Sequence, residues 1–205
     1  EIPGSFIPGQ FDNPANSEAH RKNTGVEIWR DTEGQVDVFI AAVGTGGTIT
    51  GTGEYLKSQN PNIKVIGVDA FGSVLKKYHE TRELDTDEIY PYRIEGLGKN
   101  LIPTATNFDV IDKFVKVTDE ESAHTAREIA RTEGLFVGYT SGAVMQALKH
   151  LNAEGEFKKG DHIVVIFPDH GSRYMSKVYS DKWMEDQGFF DNEKEVSVKT
   201  VQYIK

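Results

Sequence analysis

The sequence predicts an α/β fold, a mainly parallel twisted sheet flanked by helices. Three observations carry that expectation. Val36-Asp37-Val38-Phe39-Ile40-Ala41-Ala42-Val43 is a near-continuous apolar run, β-branched at several positions. It reads as a strand buried on both faces, as parallel sheets require. A glycine-rich turn, a helical stretch and a second short apolar run, Lys64-Val65-Ile66-Gly67-Val68-Asp69, follow it, which is the order of a βαβ unit. Thr118-Asp119-Glu120-Glu121 then forms a capping box, with Thr at the cap and Glu three residues on, ahead of Ala123, Ala126, Ile129 and Ala130 at helical spacing.

The remaining elements fall into place along the chain. Asn13-Pro14 reads as an N-cap followed by proline in the first turn, opening a polar helix to Asn23 that Thr24-Gly25 breaks. The helix after the first strand spans Thr48 to Gln59, and Asn60-Pro61-Asn62 stops it. Residues 71–107 have weak periodicity and read as loop with a short helix near Val74–Tyr78. Phe114–Val117 is a third strand, and the capped helix ends near Gly134. Gly138-Tyr139-Thr140-Ser141-Gly142 starts another helix reaching Leu151. His162–Phe167 is the last strand, and a final helix covers Asp181 to Gln187. Residues 1–190 form one domain, and the charged stretch 191–205 reads as a tail or linker.

Composition narrows the function. The 205 residues suffice for one α/β domain with a sizeable core. The formal net charge of −9 argues against nucleic acid or an anionic membrane as the main partner, because both need a basic face. There is no cysteine, hence no disulfide framework and no thiolate chemistry. The first nine residues carry no signal-peptide pattern, and no apolar run reaches the ~18 residues of a membrane helix. A cytoplasmic enzyme is the default. The six histidines are scattered without metal-ligand spacing, so neither a metal site nor a Ser-His-Asp triad is expected.

The chemistry concentrates in Gly44-Thr45-Gly46-Gly47-Thr48, between a buried strand and a helix. Glycines let the backbone turn sharply and approach a ligand, and the first N–H groups of the helix carry partial positive charge. Such a loop suits a phosphate monoester without any lysine. The same glycines also suit a tight βα turn made for packing alone. A Walker loop is excluded because no Gly-Lys-Ser/Thr occurs, and the dinucleotide fingerprint fails because Ile49 stands at its third glycine. Asp69, where a dinucleotide fold would hold a ribose, is expected instead to contact the Phe71-Gly72-Ser73 turn. The 138–142 segment is not a GxSxG elbow and also reads as an ordinary hydroxyl-rich helix start.

Taken in order, Gln10-Phe11-Asp12-Asn13-Pro14-Ala15-Asn16, the loop from Gly44, Glu95-Gly96-Leu97-Gly98 with Ile102-Pro103, the segment from Gly138 and Phe167-Pro168-Asp169 resemble the fold-type II pyridoxal 5′-phosphate (PLP) enzymes of the cysteine synthase and cystathionine β-synthase family. The resemblance runs from Glu1 to about Phe189, and the ordered set is more specific than any member. Tyr92-Arg93-Ile94-Glu95-Gly96 and the stretch from Ser172 to Met184 resemble the cystathionine β-synthase branch.

The resemblance implies the large, cofactor-binding domain of such an enzyme, a homodimer, and roles for particular residues. Gly44, Thr45, Gly46, Gly47 and Thr48 would hold the PLP phosphate, and Thr140 would place a hydroxyl at the pyridine nitrogen. Pro168 and Asp169 would lie near the pyridine edge, Gln10 would bind the substrate carboxylate, and Gly96 would line the cleft. The implied reaction is β-replacement on serine or an activated serine, giving cystathionine with homocysteine. The alternatives are cysteine synthesis from O-acetylserine and sulfide, or a binding module without catalysis. The family's Schiff-base lysine and its Ser/Thr-rich carboxylate loop belong upstream of Glu1, so an N-terminal segment or a second chain is expected to supply them. Lys99 stands where eukaryotic cystathionine β-synthases carry tyrosine, a departure that bears on the thiol co-substrate.

Overall fold

The structure is a computed structural model that describes residues 2–190. The expected tail, 191–205, lies outside the described residues. Helix α1 (Ala15–Ala19) passes through a π-helical turn at His20–Thr24 into α2 (Gly25–Asp31). Strand β1 (Val38–Ala42), helix α3 (Gly47–Gln59) and strand β2 (Lys64–Ala70) make the βαβ unit. Helix α4 (Leu75–Thr81) leads through a long connection to β3 (Lys113–Val117). Helices α5 (Asp119–Glu133) and α6 (Tyr139–Ala153) precede β4 (Ile163–Val165), and α7 (Asp181–Asp186) follows it.

All strand pairs are parallel, in the order β3-β2-β1-β4. Alternate residues of β1 serve opposite faces. Val38 and Ile40 join Ile66, Val68, Ala143, Val144, Ala147 and Leu151 beneath α5 and α6. Phe39 and Ala41 join Val65, Ile49, Leu56 and Phe114 beneath α3. Burying each such side chain contributes roughly 1.5–3 kcal/mol, so a central strand apolar on both faces holds three layers together. β4 lies at the outer edge of the sheet, which is why Ile163, Val164 and Val165 stay only partly covered.

The order of the strands positions the site. The chain moves from β1 to β2 to β3 in one direction, with α3 on one face. It then returns through α5 and α6 on the opposite face to place β4 beside β1. The connections leave the carboxyl ends of β1 and β4 toward opposite faces and open a crevice there, the topological switch point of an α/β sheet.

One local expectation needs correction. Thr24-Gly25 does not break the first helix: Gly25 is helical (φ −62°, ψ −41°) and the chain continues to Asp31. Glycine is needed because a Cβ there would lie 2.8 Å from Tyr55 Cβ on α3. Asp69 meets the turn after β2 at Ser73, as expected, and reaches beyond it. It accepts hydrogen bonds from Ala70 N–H (2.9 Å) and Lys76 N–H (3.0 Å), tying the strand end to α4. Its carboxyl is fully buried, and burial raises its pKa above the ordinary aspartate value. The capping box forms as the sequence indicates, with Thr118 and Glu121 bonded reciprocally. No described helix is long and apolar enough to cross a membrane.

Candidate cofactor site

The loop after β1 leaves the start of α3 without a side chain at its cap position. Gly46 is the N-cap residue, in a left-handed conformation (φ +82°), and Thr45 Oγ1 accepts from Gly47 N–H only at 3.5 Å. A Cβ at Gly46 would lie 1.7 Å from Thr106 Oγ1, and one at Gly44 would lie 2.4 Å from the Gly96 carbonyl oxygen. Both positions therefore require glycine, for conformation and for close approach. Thr106 Oγ1 donates to the Thr45 carbonyl (3.0 Å), fixing the loop from the far side. Asn16 Nδ2 donates to Thr45 Oγ1 (3.0 Å) and to the Gln10 carbonyl (2.6 Å), bringing the Gln10 segment against the loop. Thr48 Oγ1 meets His20 Nε2 at 3.2 Å, and His20 Nδ1 meets Thr24 Oγ1 at 2.9 Å. Burial lowers the His20 pKa, so the ring bridges the helices as a neutral group at pH 7.

Gly47 has a different task from its neighbours. A Cβ there would lie 2.0 Å from Asn16 Oδ1, and one at Gly51 would lie 1.9 Å from the Ser17 carbonyl. Residues 47 and 51, one turn apart, form the flat face on which α1 and the π turn cross α3. Gly47 thus seats Asn16, which in turn holds Thr45.

The opposite wall comes from three later segments. Gly96 is left-handed (φ +82°), and Gly98 N–H donates to the Val43 carbonyl (2.8 Å), clamping this loop to the end of β1. Thr140, in the first turn of α6, donates to the Glu95 carbonyl (2.7 Å). The α6 start, with Gly138 as N-cap residue, also has no side-chain cap. A Cβ at Gly138 would lie 1.8 Å from Asp169 Oδ1, so α6 meets the segment after β4 at backbone distance. Tyr174 OH donates to Asp169 Oδ2 (2.8 Å), and burial together with this carboxylate pushes the phenol pKa up to about 12.

These walls enclose a cleft of about 420 Å³ at the switch point. Gln10, Gly44, Thr45, Gly46, Thr48, Gly96, Thr140, Pro168 and Asp169 all lie on it, although the chain separates them by up to 159 positions (169 − 10). Gly47 stands just behind the wall. Sequence reading missed Asn16, Thr106, Arg173 and Tyr174. Asn16 and Arg173 sit inside segments already singled out, whereas nothing local marks Thr106. Lys99 is half-buried on the cleft wall rather than on the open surface, and burial lowers its pKa.

The geometry suits a phosphorylated ring compound. Two helix N-termini, neither capped by its N-cap residue, border one cleft, and such termini carry unpaired N–H donors and partial positive charge. Ser141 Oγ and Asp169 Oδ1 are buried with no hydrogen-bond partner among the described residues, which leaves polar capacity beside the cleft. The volume is within the range of small-molecule sites.

Comparisons with known proteins agree with this chemistry. A family model described as pyridoxal-phosphate dependent enzyme matches residues 1–169. Cystathionine beta-synthase of Apis mellifera is 42% identical over 189 residues, covering 92% of this chain and 36% of that protein. The Rattus norvegicus protein of the same name is 43% identical over 199 residues, 97% of this chain and 34% of its own length. The Dictyostelium discoideum protein is 38% identical over 193 residues, 94% of this chain and 38% of its own. The chain spans about a third of the length of these relatives.

Proposed function

The chain belongs to the pyridoxal-phosphate dependent enzyme family, whose cofactor is PLP, and from that premise we propose that it forms the phosphate-binding part of a β-replacing enzyme making cystathionine from serine and homocysteine. The observation that carries the reading is the crevice between β1 and β4, where the starts of α3 and α6, neither capped by its N-cap residue, border one cavity.

The residues divide the work by chemistry. Gly44 to Thr48 would hold the phosphate through backbone N–H groups and the Thr45 and Thr48 hydroxyls, with neutral His20 orienting Thr48. PLP bound there supplies an electron sink for charge developing at the substrate α-carbon. Thr140, whose hydroxyl donates to the Glu95 carbonyl, would exchange that bond for one to the ring nitrogen, offering a neutral hydroxyl rather than a carboxylate, which moderates that sink and favours loss of a β-substituent over transamination. Tyr174 keeps its proton at neutral pH and holds one oxygen of Asp169, fixing that side chain at the cleft edge. Gln10 would orient the substrate carboxylate, and the Gly96 loop, packed beside Gly44, would line the cleft. A segment or chain outside these residues would provide the lysine that holds the cofactor. The names of the relatives, Glu95 before the glycine and the segment from Ser172 support cystathionine synthesis over the rival reaction.

The test is steady-state kinetics of the full-length protein with both substrate pairs, following product by mass spectrometry. Cystathionine from serine and homocysteine is expected. Turnover of O-acetylserine and sulfide with none of serine and homocysteine would reassign it as a cysteine synthase. Stoichiometric PLP binding without turnover of either pair would make it a binding module.

A further inference from the structure

We propose that Lys99 and Arg173 form a receptor for a carboxylate on the thiol substrate, making the site selective for a carboxylated thiol over its uncharged counterparts; the proposal rests on the β-replacement reading. Of the acidic groups of the cleft, Glu95 is ion-paired with Lys177 and Asp169 holds one oxygen on the neutral phenol of Tyr174. Lys99 and Arg173 differ: both lie on the cleft wall, and neither has a carboxylate within ion-pair distance among the described residues. In a chain of net charge −9, most of whose described lysines pair with carboxylates, two cations without an ion-pair partner stand on one cleft.

The scaffold holds Lys99 in place. Its N–H donates to Ser73 Oγ (2.9 Å), its carbonyl accepts from Val74 N–H (2.9 Å), and Gly98 beside it is bonded to Val43. The ammonium lies 5.5 Å from the centre of the Phe11 ring, and the Phe11 carbonyl accepts from Ala105 N–H (2.9 Å). An aromatic face attracts the cation without neutralising it. Burial has removed part of its water, and an entering carboxylate would replace that solvation.

Both residues border the cleft from segments other than the phosphate loop. Lys99 also borders an adjoining groove with Tyr90, Tyr92 and Asn100. Arg173 is exposed, on the single helical turn Gly171–Tyr174. A thiol entering from outside with its sulfur leading would leave a distal carboxylate beside this pair. Sulfide has no group to place there.

The experiment uses the full-length PLP-loaded protein with 3-mercaptopropionate and its uncharged amide as thiols. Lys99→Met and Arg173→Met are each expected to raise KM for the carboxylate at least about tenfold more than KM for the amide, and Lys99→Arg should recover most of the loss. Equal changes for both thiols would overturn the proposal. Calorimetric titration with 3-mercaptopropionate, without the amino-acid substrate, gives a readout independent of turnover. Binding should weaken about tenfold in Lys99→Met, and unchanged binding would overturn the receptor. A protein that shows this Lys99-dependent binding yet turns over no thiol would refute the reaction while leaving the receptor standing.

Discussion

At the scale of the residue, glycines next to one another answer to different partners. Gly46 faces Thr106, Gly47 faces Asn16 and Gly44 faces the Gly96 carbonyl. The loop was legible as a phosphate-type turn because glycine, threonine and a helix start stand together in it. The division of labour was not, because each partner lies 31 to 60 positions away, and no local pattern reports it. The division predicts separable phenotypes. Gly46→Ala sets a Cβ against Thr106 in a left-handed backbone, a strain of about 1–3 kcal/mol at the loop itself, and should weaken PLP binding tenfold or more. Gly51→Ala meets the Ser17 carbonyl and should lower Tm by prising α1 from α3, with a smaller effect on PLP affinity of the folded protein. Absorbance titration and thermal unfolding of both variants check this, and the reverse ranking would sink the assignment.

At the scale of the element, legibility followed how local the cause is. The capping box needs only residues 118–121, so both it and α5 were readable. The continuation of the first helix through Gly25 was not, because its cause is Tyr55 on a different helix. β4 was readable as a strand but not as an edge, since edge position belongs to the sheet and not to the segment. The capping box yields a pH-dependent prediction. Burial pulls the Glu121 carboxyl upward, but hydrogen bonds from Thr118 and the proximity of His150 together hold it below the ordinary glutamate range. A depressed carboxylate adds stability above its unfolded pKa, and that stability is lost as pH falls through the folded value. Thr118→Ala should therefore cost about 1 kcal/mol at pH 7, and the gap to wild type should narrow as pH drops below the unfolded value near 4.5. Urea unfolding across that range measures it, and a gap that widens in acid would contradict the reading.

At the scale of the whole molecule, the α/β class was legible from the apolar runs, and the switch point was not. Strand order decides where a cleft opens, and it follows from which edge of β1 the last strand joins. That choice is made by α5 and α6 crossing the opposite face from α3. Once β4 lies beside β1, Asp169 comes to Gly138 and both helix starts turn to one cavity. The central claim is that this cavity holds its cofactor chiefly by the phosphate at the start of α3. The most direct measurement is a titration of the full-length protein with PLP and with pyridoxal, which has the same ring and no phosphate. The account predicts saturable one-to-one binding of PLP and at least about a hundredfold weaker binding of pyridoxal. Equal affinity for the two would contradict it.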